Sequence, residues 1–480
     1  MNTSSTTTAS LRRIDDLPGP RGIPVLGNAH QIKLDRVHLD VERWAREFGP
    51  FFKVQLGRRK ALVVADHEVV AAALKDRPDG FRRTTRTTQV GMEMGLKPGV
   101  FGAEGQAWKD QRRMVMASFA PGHVRAYFPS LMRVVQRLHG RWAKAAQSGS
   151  AIPLQEDLMR YTVDGVAGLA FGSDINTLES DQEVIQQHLD KIFPALFRRI
   201  FASFPYWRYV RLPRDRDLDR SVAAIHRAID GFIATARERM RVNPALRTQP
   251  SNLLEGMIAA ADDEGSGVTD EQVAGNVFTM LLAGEDTTAN TLAWMIWLLG
   301  RHPEALQRAT EEVRRVAPDP AAFTPEQMAS LDYLEACASE TMRLKPVAPF
   351  IVLEALQDTT LGDVQVPRGT FVWCVLRHDS VSSTHFPEPT LFNPARWLDN
   401  ADAALTPTSP KRVAMPFGAG PRVCPGRYLA LLEMKMAMAM LLSSFEIESV
   451  GTEDGSEPRE RMAFAMAPVG LTLRLRERKA

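Results

Sequence analysis

The stretch FGAGPRVCPGRYLALLEMKMAMAM, residues 417–440, joins a glycine-rich loop that carries one cysteine to an apolar segment. The alternation of leucine, alanine and methionine after the loop predicts a helix that begins just past Cys424. A thiolate is a strong electron donor and metal ligand, and a helix N-terminus stabilises its negative charge. Pro425 suits the first helical position, where a missing N–H costs little. The loop therefore presents a thiolate ready to bind a partner.

Other residues of the loop indicate the shape of that partner. Gly418, Gly420 and Gly426 allow the backbone to approach a bulky flat group closely. Arg422 offers a fork for a carboxylate, and Phe417 can pack against a ring edge. A haem iron held by cysteine fits these features. A phosphate-binding loop, or a glycine-rich turn with a buried inert thiol, is the alternative at this point.

The composition of the chain bounds its class. It has 480 residues, of which 44% are hydrophobic, and a net charge of +2, so nothing global favours nucleic acid binding. Three cysteines without metal-site spacing suit a reducing compartment. No signal peptide and no apolar run of roughly 18 residues is present. We expect a cytoplasmic protein with a disordered tail at residues 1–16 and one domain at 17–480.

The residue patterns predict a mainly α protein with a small β region. Helical periodicity dominates from 108 to 345, two short strands flank Gly57 as a hairpin, and strand-like segments follow residue 345. A long buried helix starts at Thr269, where Gln272 completes a capping box. Its centre reads AGEDTT, residues 283–288. A buried acid there is costly unless it is paired or used, so the segment is either a polar network that holds a bend or a proton relay.

Five positions of the cysteine loop match a known signature. Phe417, Gly420, Arg422, Cys424 and Gly426 fit F-x-x-G-x-R-x-C-x-G, and in this the chain resembles the cytochrome P450 family. The resemblance extends from LPGPRGIP near the N-terminus to the last strand. It implies the cytochrome P450 fold, with the long central helix over a haem b whose iron is bound by the Cys424 thiolate.

The AGEDTT segment is similar to the family's oxygen-activation motif. By that likeness Thr287 would hydrogen-bond dioxygen, Asp286 would relay protons from solvent, and Ala283 and Gly284 would leave room for oxygen. In some fatty-acid hydroxylases of the family, a glutamate at the Ala283 position bonds covalently to haem. Alanine cannot do so, and we therefore expect non-covalent haem.

Two further motifs carry the resemblance. Glu340 and Arg343, in E-x-x-R, together with Arg396 are similar to a buried structural triad that supports the cysteine loop. Trp108 and Arg112, in W-x-x-x-R, would point at a haem propionate. The implied haem contacts are Cys424, Arg422, Trp108, Arg112, Phe417, Gly418, Gly426, Ala283, Gly284 and His378.

The chain departs from the family pattern at Leu353. Family members often carry a propionate-binding arginine five residues before the aspartate aligned to Asp358. Arg377 or His378 is the expected replacement, because RHD stands where the family usually has HRD or NRD.

The resemblance implies a monooxygenase that inserts one oxygen atom from O2 into a lipophilic molecule, by hydroxylation or epoxidation. Fatty acids, terpenoids, steroids and polyketides all stay open as substrates. We expect a monomer that takes electrons from a separate ferredoxin or flavodoxin with an NAD(P)H-dependent reductase. Lys109, Arg113, Arg427 and Lys435 are either a docking face for that partner or ordinary solvated surface charge. The alternatives are a peroxide-driven peroxygenase and a non-catalytic haem-thiolate sensor. Pocket candidates by family position are Met92, Met94, Phe278, Thr279, Leu282, Val347, Phe350 and Phe464.

Overall fold

The computed structural model describes residues 11–57, 59–119, 121–180, 185–202, 204–398 and 409–478, and most of them are helical. The helices are α1 Val37–Phe48, α2 His67–Lys75, α3 Thr85–Glu93, α4 Gly105–Ser118, α5 Pro121–Ala126, α6 Phe128–Ser148, α7 Leu154–Phe171, α8 Ile185–Leu189, α9 Ile192–Phe201, α10 Pro213–Val242, α11 Leu253–Asp262, α12 Asp270–Arg301, α13 Pro303–Val316, α14 Pro325–Ala329, α15 Asp332–Leu344, α16 Arg377–Ser380, α17 Pro410–Val413 and α18 Arg427–Ser444.

The strands form a small β region, as the sequence predicts. They are β1 Phe51–Leu56, β2 Arg59–Val64, β3 Phe81–Arg83, β4 Ile152–Pro153, β5 Phe350–Ala355, β6 Thr359–Leu361, β7 Val364–Val366, β8 Phe371–Val375, β9 Phe445–Gly451, β10 Arg459–Met462, β11 Met466–Val469 and β12 Thr472–Glu477. The largest sheet has the order β1-β2-β8-β5-β3, and its β1–β2 pair is the predicted hairpin around Gly57.

The central helix α12 organises the helical part of the molecule. Thr269 caps it by accepting a hydrogen bond from the Gln272 N–H, and the Gln272 side chain accepts one from the Thr269 N–H, as predicted. The helix is 32 residues long and buried along most of its length, with α7, α11, α15 and α18 packed around it. Because apolar residues lie on nearly all its faces, burial on all sides is the stable arrangement.

The N-terminal segment corrects one expectation. Residues 1–10 lie outside the described part of the chain, but residues 11–16 do not belong to a disordered tail. Ile14–Asp16 form a 3₁₀ turn, and Arg12 donates two side-chain hydrogen bonds to Asp363, of 2.6 and 2.8 Å. The expected boundary at residue 16 is therefore too late. Within the described ranges, no helix is both long and apolar enough to span a bilayer.

Candidate active site

A cavity of about 980 Å³ lies between the central helix and the cysteine loop. The helix α12 contributes Thr287 together with Ala283 and Gly284, and the loop before α18 contributes Cys424 and Phe417. The two segments singled out from the sequence therefore meet at one cavity.

The cysteine loop holds its thiol against that cavity. The Cys424 N–H donates to the Phe417 carbonyl at 2.9 Å, and Arg112 of α4 donates to the Val423 carbonyl at 2.6 Å. Burial raises the pKa of the Cys424 thiol, while a hydrogen bond from the Gly426 N–H and the charge of Arg112 oppose that rise. The helix α18 begins at Arg427, so the prediction that Pro425 is the first helical residue is wrong.

Gly420 allows the loop to pack closely against α2. Its φ of +71° lies in the left-handed region, and a Cβ there would stand 2.6 Å from the Cα of Lys75. Any other residue would push α2 away from the loop, because such a contact is far inside van der Waals distance.

The oxygen-motif segment lies within an unbroken helix. The Thr287 hydroxyl donates to the Ala283 carbonyl at 2.7 Å, within the same turn. Gly284 is needed for packing, because a Cβ at this position would stand 2.4 Å from Cγ2 of Val166 on α7. The carbonyl of Glu285 accepts a hydrogen bond from Thr162 of α7, which fixes the two helices together.

Asp286 lies beside the cavity but does not line it. Burial raises the pKa of Asp286 to about 6, against the opposing charge of Arg461. Glu285 is buried, and its pKa is raised well above the ordinary value by burial and by the charges of Asp190 and Asp286. Burial and the charge of Asp286 raise the pKa of Asp190 to about 7. The sequence reading missed Asp190, which stands in no motif.

The expected triad is assembled around one carboxylate. Glu340 receives two hydrogen bonds of 2.8 Å from Arg343 and one of 3.0 Å from Arg396, and Trp397 donates another at 2.8 Å. Burial would raise the pKa of Glu340, but these bonds hold it below the ordinary value. Arg343 also donates to the carbonyls of Ser380, Pro389 and Leu391 and so secures the segment before the cysteine loop.

An excess of positive charge surrounds another part of the cavity. Arg77, Arg83 and Arg422 all line it, and the carboxylate that pairs with Arg422 is Glu104. Burial and the neighbouring charge of Arg77 lower the pKa of Arg422 to about 10, and the pKa of Arg83 is lowered well below its ordinary value by the same causes. Arg422 also stacks on Trp108, 4.7 Å from the ring centroid.

Two of these arginines carry polar atoms without partners. Arg77 is 4% exposed, and its Nε and Nη2 have no hydrogen-bond partner among the described residues; the Nε of Arg422 has none either. Arg112 lines the cavity as well, so four arginines face one paired glutamate, and the excess of positive charge suits carboxylates of a bound group. The sequence reading missed Arg77 and Arg83, although the basic run FRR at 81–83 was visible.

The expected replacement for the arginine missing at Leu353 is wrong. Arg377 is held by Glu42 and Glu460 through hydrogen bonds of 2.8–2.9 Å and does not line the cavity. His378 does not line it either, and its Nε2 lies 4.0 Å from Asp379.

The pocket candidates divide into two groups. Thr279, Val347, Phe350 and Phe464 line the cavity. Phe278 and Leu282 are buried on other faces of α12, Met94 is buried elsewhere, and Met92 is 60% exposed at the surface. Cavity residues that the sequence reading did not name include Val100, Phe101, Met280, Ile351 and Trp373.

The expected docking face also needs one correction. Lys435 is buried and its Nζ lies 2.7 Å from Glu335, so it is not available at the surface. Lys109, Arg113 and Arg427 are exposed.

The family model described as Cytochrome P450 matches residues 17–475. The chain belongs to the cytochrome P450 family.

A self-sufficient cytochrome P450 monooxygenase, CYP505E4 of Penicillium freii, is 27% identical over 473 residues, which are 97% of this chain and 43% of the relative. Cytochrome P450 CYP94D108 of Paris polyphylla is 30% identical over 437 residues, 87% of this chain and 84% of the relative. Cytochrome P450 3A13 of Mus musculus is 23% identical over 440 residues, 90% of this chain and 85% of the relative. This chain thus spans less than half the length of the Penicillium relative.

Cytochromes P450 are haem-thiolate oxidoreductases in which a cysteine binds haem b. The residues of this cavity fit that group. Cys424 supplies a thiol, Trp108 an aromatic wall, and the unpartnered nitrogens of Arg77 and Arg422 suit carboxylates. The excess of positive charge on this side of the cavity suits the two haem propionates.

Proposed function

We propose that this cytochrome P450 is a monooxygenase that inserts one oxygen atom from O2 into a lipophilic small molecule. The observation that supports it most is the meeting of Cys424 and Thr287 at one cavity that also has largely apolar walls. Cys424 would hold the iron, and Arg77, Arg83, Arg112, Arg422 and Trp108 would hold the propionate side of the haem. When bound, the haem supplies the chemistry that activates O2.

The residues of α12 would control protons next to the haem. The Thr287 hydroxyl can exchange its bond to the Ala283 carbonyl for one to a ligand in the cavity, because a hydroxyl rotates freely about its Cβ–Oγ bond. Asp286, with a pKa of about 6, changes protonation near neutral pH and so suits a group that takes up and releases protons. A peroxygenase or a sensor would not need this pair.

The cavity has apolar side chains together with two arginines, Arg59 and Arg86, whose charge no described carboxylate pairs with, and this combination favours a substrate with a lipophilic body and an acidic end. Arg59 is exposed, lines the cavity and has no carboxylate partner among the described residues; its guanidinium carbon lies 5.4 Å from the centroid of Phe371. Arg86 also lines the cavity, and its guanidinium donates to the carbonyls of Arg199, Ile200 and Ala202, which leaves its charge unneutralised. Among the substrates open from the sequence, long-chain fatty acids match this arrangement.

Electrons would come from a ferredoxin or a flavodoxin with its reductase. Exposed Lys109 and Arg113 on α4 and Arg427 at the start of α18 flank the cysteine loop and would attract an acidic partner.

The test uses purified haem-loaded protein. Reduced under carbon monoxide, the wild type should show the Soret band of a thiolate-bound haem, and Cys424→His should show that of a histidine-bound haem. With surrogate ferredoxin and reductase, NAD(P)H and O2 should then yield an oxygenated product from a fatty acid. A thiolate spectrum with product only from added peroxide would indicate the peroxygenase, and no product under either condition would indicate the sensor.

A further inference from the structure

Three metal-ligating side chains meet outside the cavity. His67 is the first residue of α2, Asp379 lies in α16, and His385 lies in the segment that follows α16. His67 Nδ1 lies 2.8 Å from Asp379 Oδ2, and His385 Nε2 lies 3.6 Å from the same oxygen. The two imidazole rings stand edge to face, with centroids 4.7 Å apart. None of the three lines the cavity.

The spacing of the donor atoms suits a small divalent ion. One ligand atom from each of the three residues can be chosen so that all lie within 4.8 Å of one another. A tetrahedral zinc ion with bonds of about 2.0–2.1 Å places its ligand atoms about 3.4 Å apart. The two separations measured at the Asp379 oxygen, 2.8 and 3.6 Å, bracket that value, so each needs a shift of only about half an ångström to fit the ion.

Neighbouring groups hold these side chains in place, and one ring nitrogen has no hydrogen-bond partner within the described ranges. The side chains of His67, Asp379 and His385 are 10, 12 and 21% exposed, so the cluster is largely shielded but can be reached from solvent. Asp379 Oδ2 also accepts the backbone N–H of His67 at 2.9 Å, which fixes the carboxylate at the start of α2. The buried Nε2 of His67 has no hydrogen-bond partner among the described residues. Because Nδ1 is the nitrogen that faces Asp379, it is the His67 ligand atom that the cluster offers to a metal ion.

We propose that His67, Asp379 and His385 bind a divalent transition metal ion, of which zinc fits best. Two imidazoles and one carboxylate are ligands that zinc prefers, and water would complete the coordination. The assignment does not depend on the proposed oxygenase activity.

The position of the site indicates a structural role. The residue after Asp379 is Ser380, whose carbonyl accepts a hydrogen bond of 2.5 Å from Arg343 of the triad. The other end of α2 packs against Gly420 of the cysteine loop. A metal ion at this site would therefore tie together two elements that support the loop.

The test is a zinc titration of the untagged, haem-loaded protein after chelator treatment. Isothermal calorimetry should show one zinc ion per chain, and His385→Ala should weaken binding at least about tenfold. His30→Ala, which removes an exposed histidine elsewhere, should leave the affinity unchanged. His67→Ala should also weaken binding. Because the ring of His67 is buried, its removal would also affect folding, and His385→Ala is therefore the main test variant.

A second measurement separates a specific site from surface binding. Zinc should raise the thermal unfolding midpoint of the wild type and of His30→Ala but not that of His385→Ala. Equal zinc affinity in the wild type and His385→Ala, or no binding to the wild type, would overturn the proposal. Haem content measured in every sample shows that the proteins compared are equally folded.

Discussion

Arg83 and Leu353 are direct partners across the antiparallel strands β3 and β5. Residues that face each other in such a pair project to the same side of the sheet. Arg83 therefore brings a cation to the side where residue 353 lacks one, and it lines the cavity. Arg77, buried and with two unpartnered nitrogens, lies at the same cavity. We infer that these two arginines replace the missing propionate contact.

The first prediction concerns haem retention. Arg83→Leu and Arg77→Leu should each speed haem loss about tenfold, because each removes a charged hydrogen-bond donor worth about 1.5–3 kcal/mol. Haem transfer to excess apomyoglobin measures the rate. Arg82→Leu is the matched control, since Arg82 is the neighbouring residue and pairs with Glu354. If all three variants lost haem at the wild-type rate, the assignment of Arg77 and Arg83 would fail.

Local motifs were readable from the sequence because each is set by residues close together in the chain. The capping box at Thr269, the hairpin around Gly57 and the E-x-x-R pair need only neighbours within one turn or one strand. The chemistry of each motif also limits which residue types can occur in it. In E-x-x-R, for example, a buried carboxylate needs a cation such as arginine beside it.

The features that the sequence did not predict depend on the register of paired strands and on the rotation of a helix about its axis. Which residue of FRR faces the cavity is set by the pairing of β3 with β5, which no local pattern shows. On α12 a step of one residue turns the side chain by 100°, so Thr279 lines the cavity whereas Phe278 does not. Because apolar residues lie on nearly every face of this helix, the sequence has no single apolar stripe that would show which face is turned towards the cavity.

A second prediction tests the Thr287 hydroxyl. Thr287→Ala should keep NAD(P)H consumption but lower the product formed per NAD(P)H about tenfold, since proton delivery loses its hydroxyl. Product and hydrogen peroxide are measured together with NAD(P)H. Thr310→Ala on α13 is the control, because its hydroxyl makes the same bond to the carbonyl four residues earlier, at 2.8 Å and away from the cavity. Unchanged coupling in Thr287→Ala would contradict the proton role.

A third prediction concerns the triad. Glu340→Gln should destabilise the protein by about 3–5 kcal/mol, because it leaves the fully buried guanidinium of Arg343 without its counter-charge. Soluble yield and the thermal midpoint measure the loss. Asp332→Asn on the same helix should cost much less, since Asp332 is exposed and forms no salt bridge with another described residue. Similar midpoints for the two variants would show that the triad is not the main support of the loop.

A fourth prediction tests the acidic end of the substrate. Palmitate should bind more tightly than methyl palmitate, and Arg59→Ala should reduce that preference about two- to fivefold, the range for an exposed charge pair. The haem spin-state change reports binding. Lys60→Ala should have a smaller effect, because Lys60 already pairs with Asp15. An unaltered preference in Arg59→Ala would remove Arg59 from substrate recognition.

The last prediction concerns how the ionisation of Asp286 makes the stability of the protein depend on pH. Its pKa is about 6 in the folded protein and 3.8 ordinarily, so between these values the folded state holds a proton that the unfolded chain releases. Stability therefore falls as the pH rises towards 6, and above it the charged carboxylate costs about 3 kcal/mol.

Asp286→Asn removes that cost and should raise the thermal midpoint by about 3 °C at pH 8 but less at pH 5. It should also lower the product formed per NAD(P)H, because the amide cannot carry a proton. Glu271→Gln, an exposed carboxylate on the same helix, serves as the control. A variant with the same pH dependence of stability as the wild type would show that Asp286 is ionised normally, and the relay would then need a different acid.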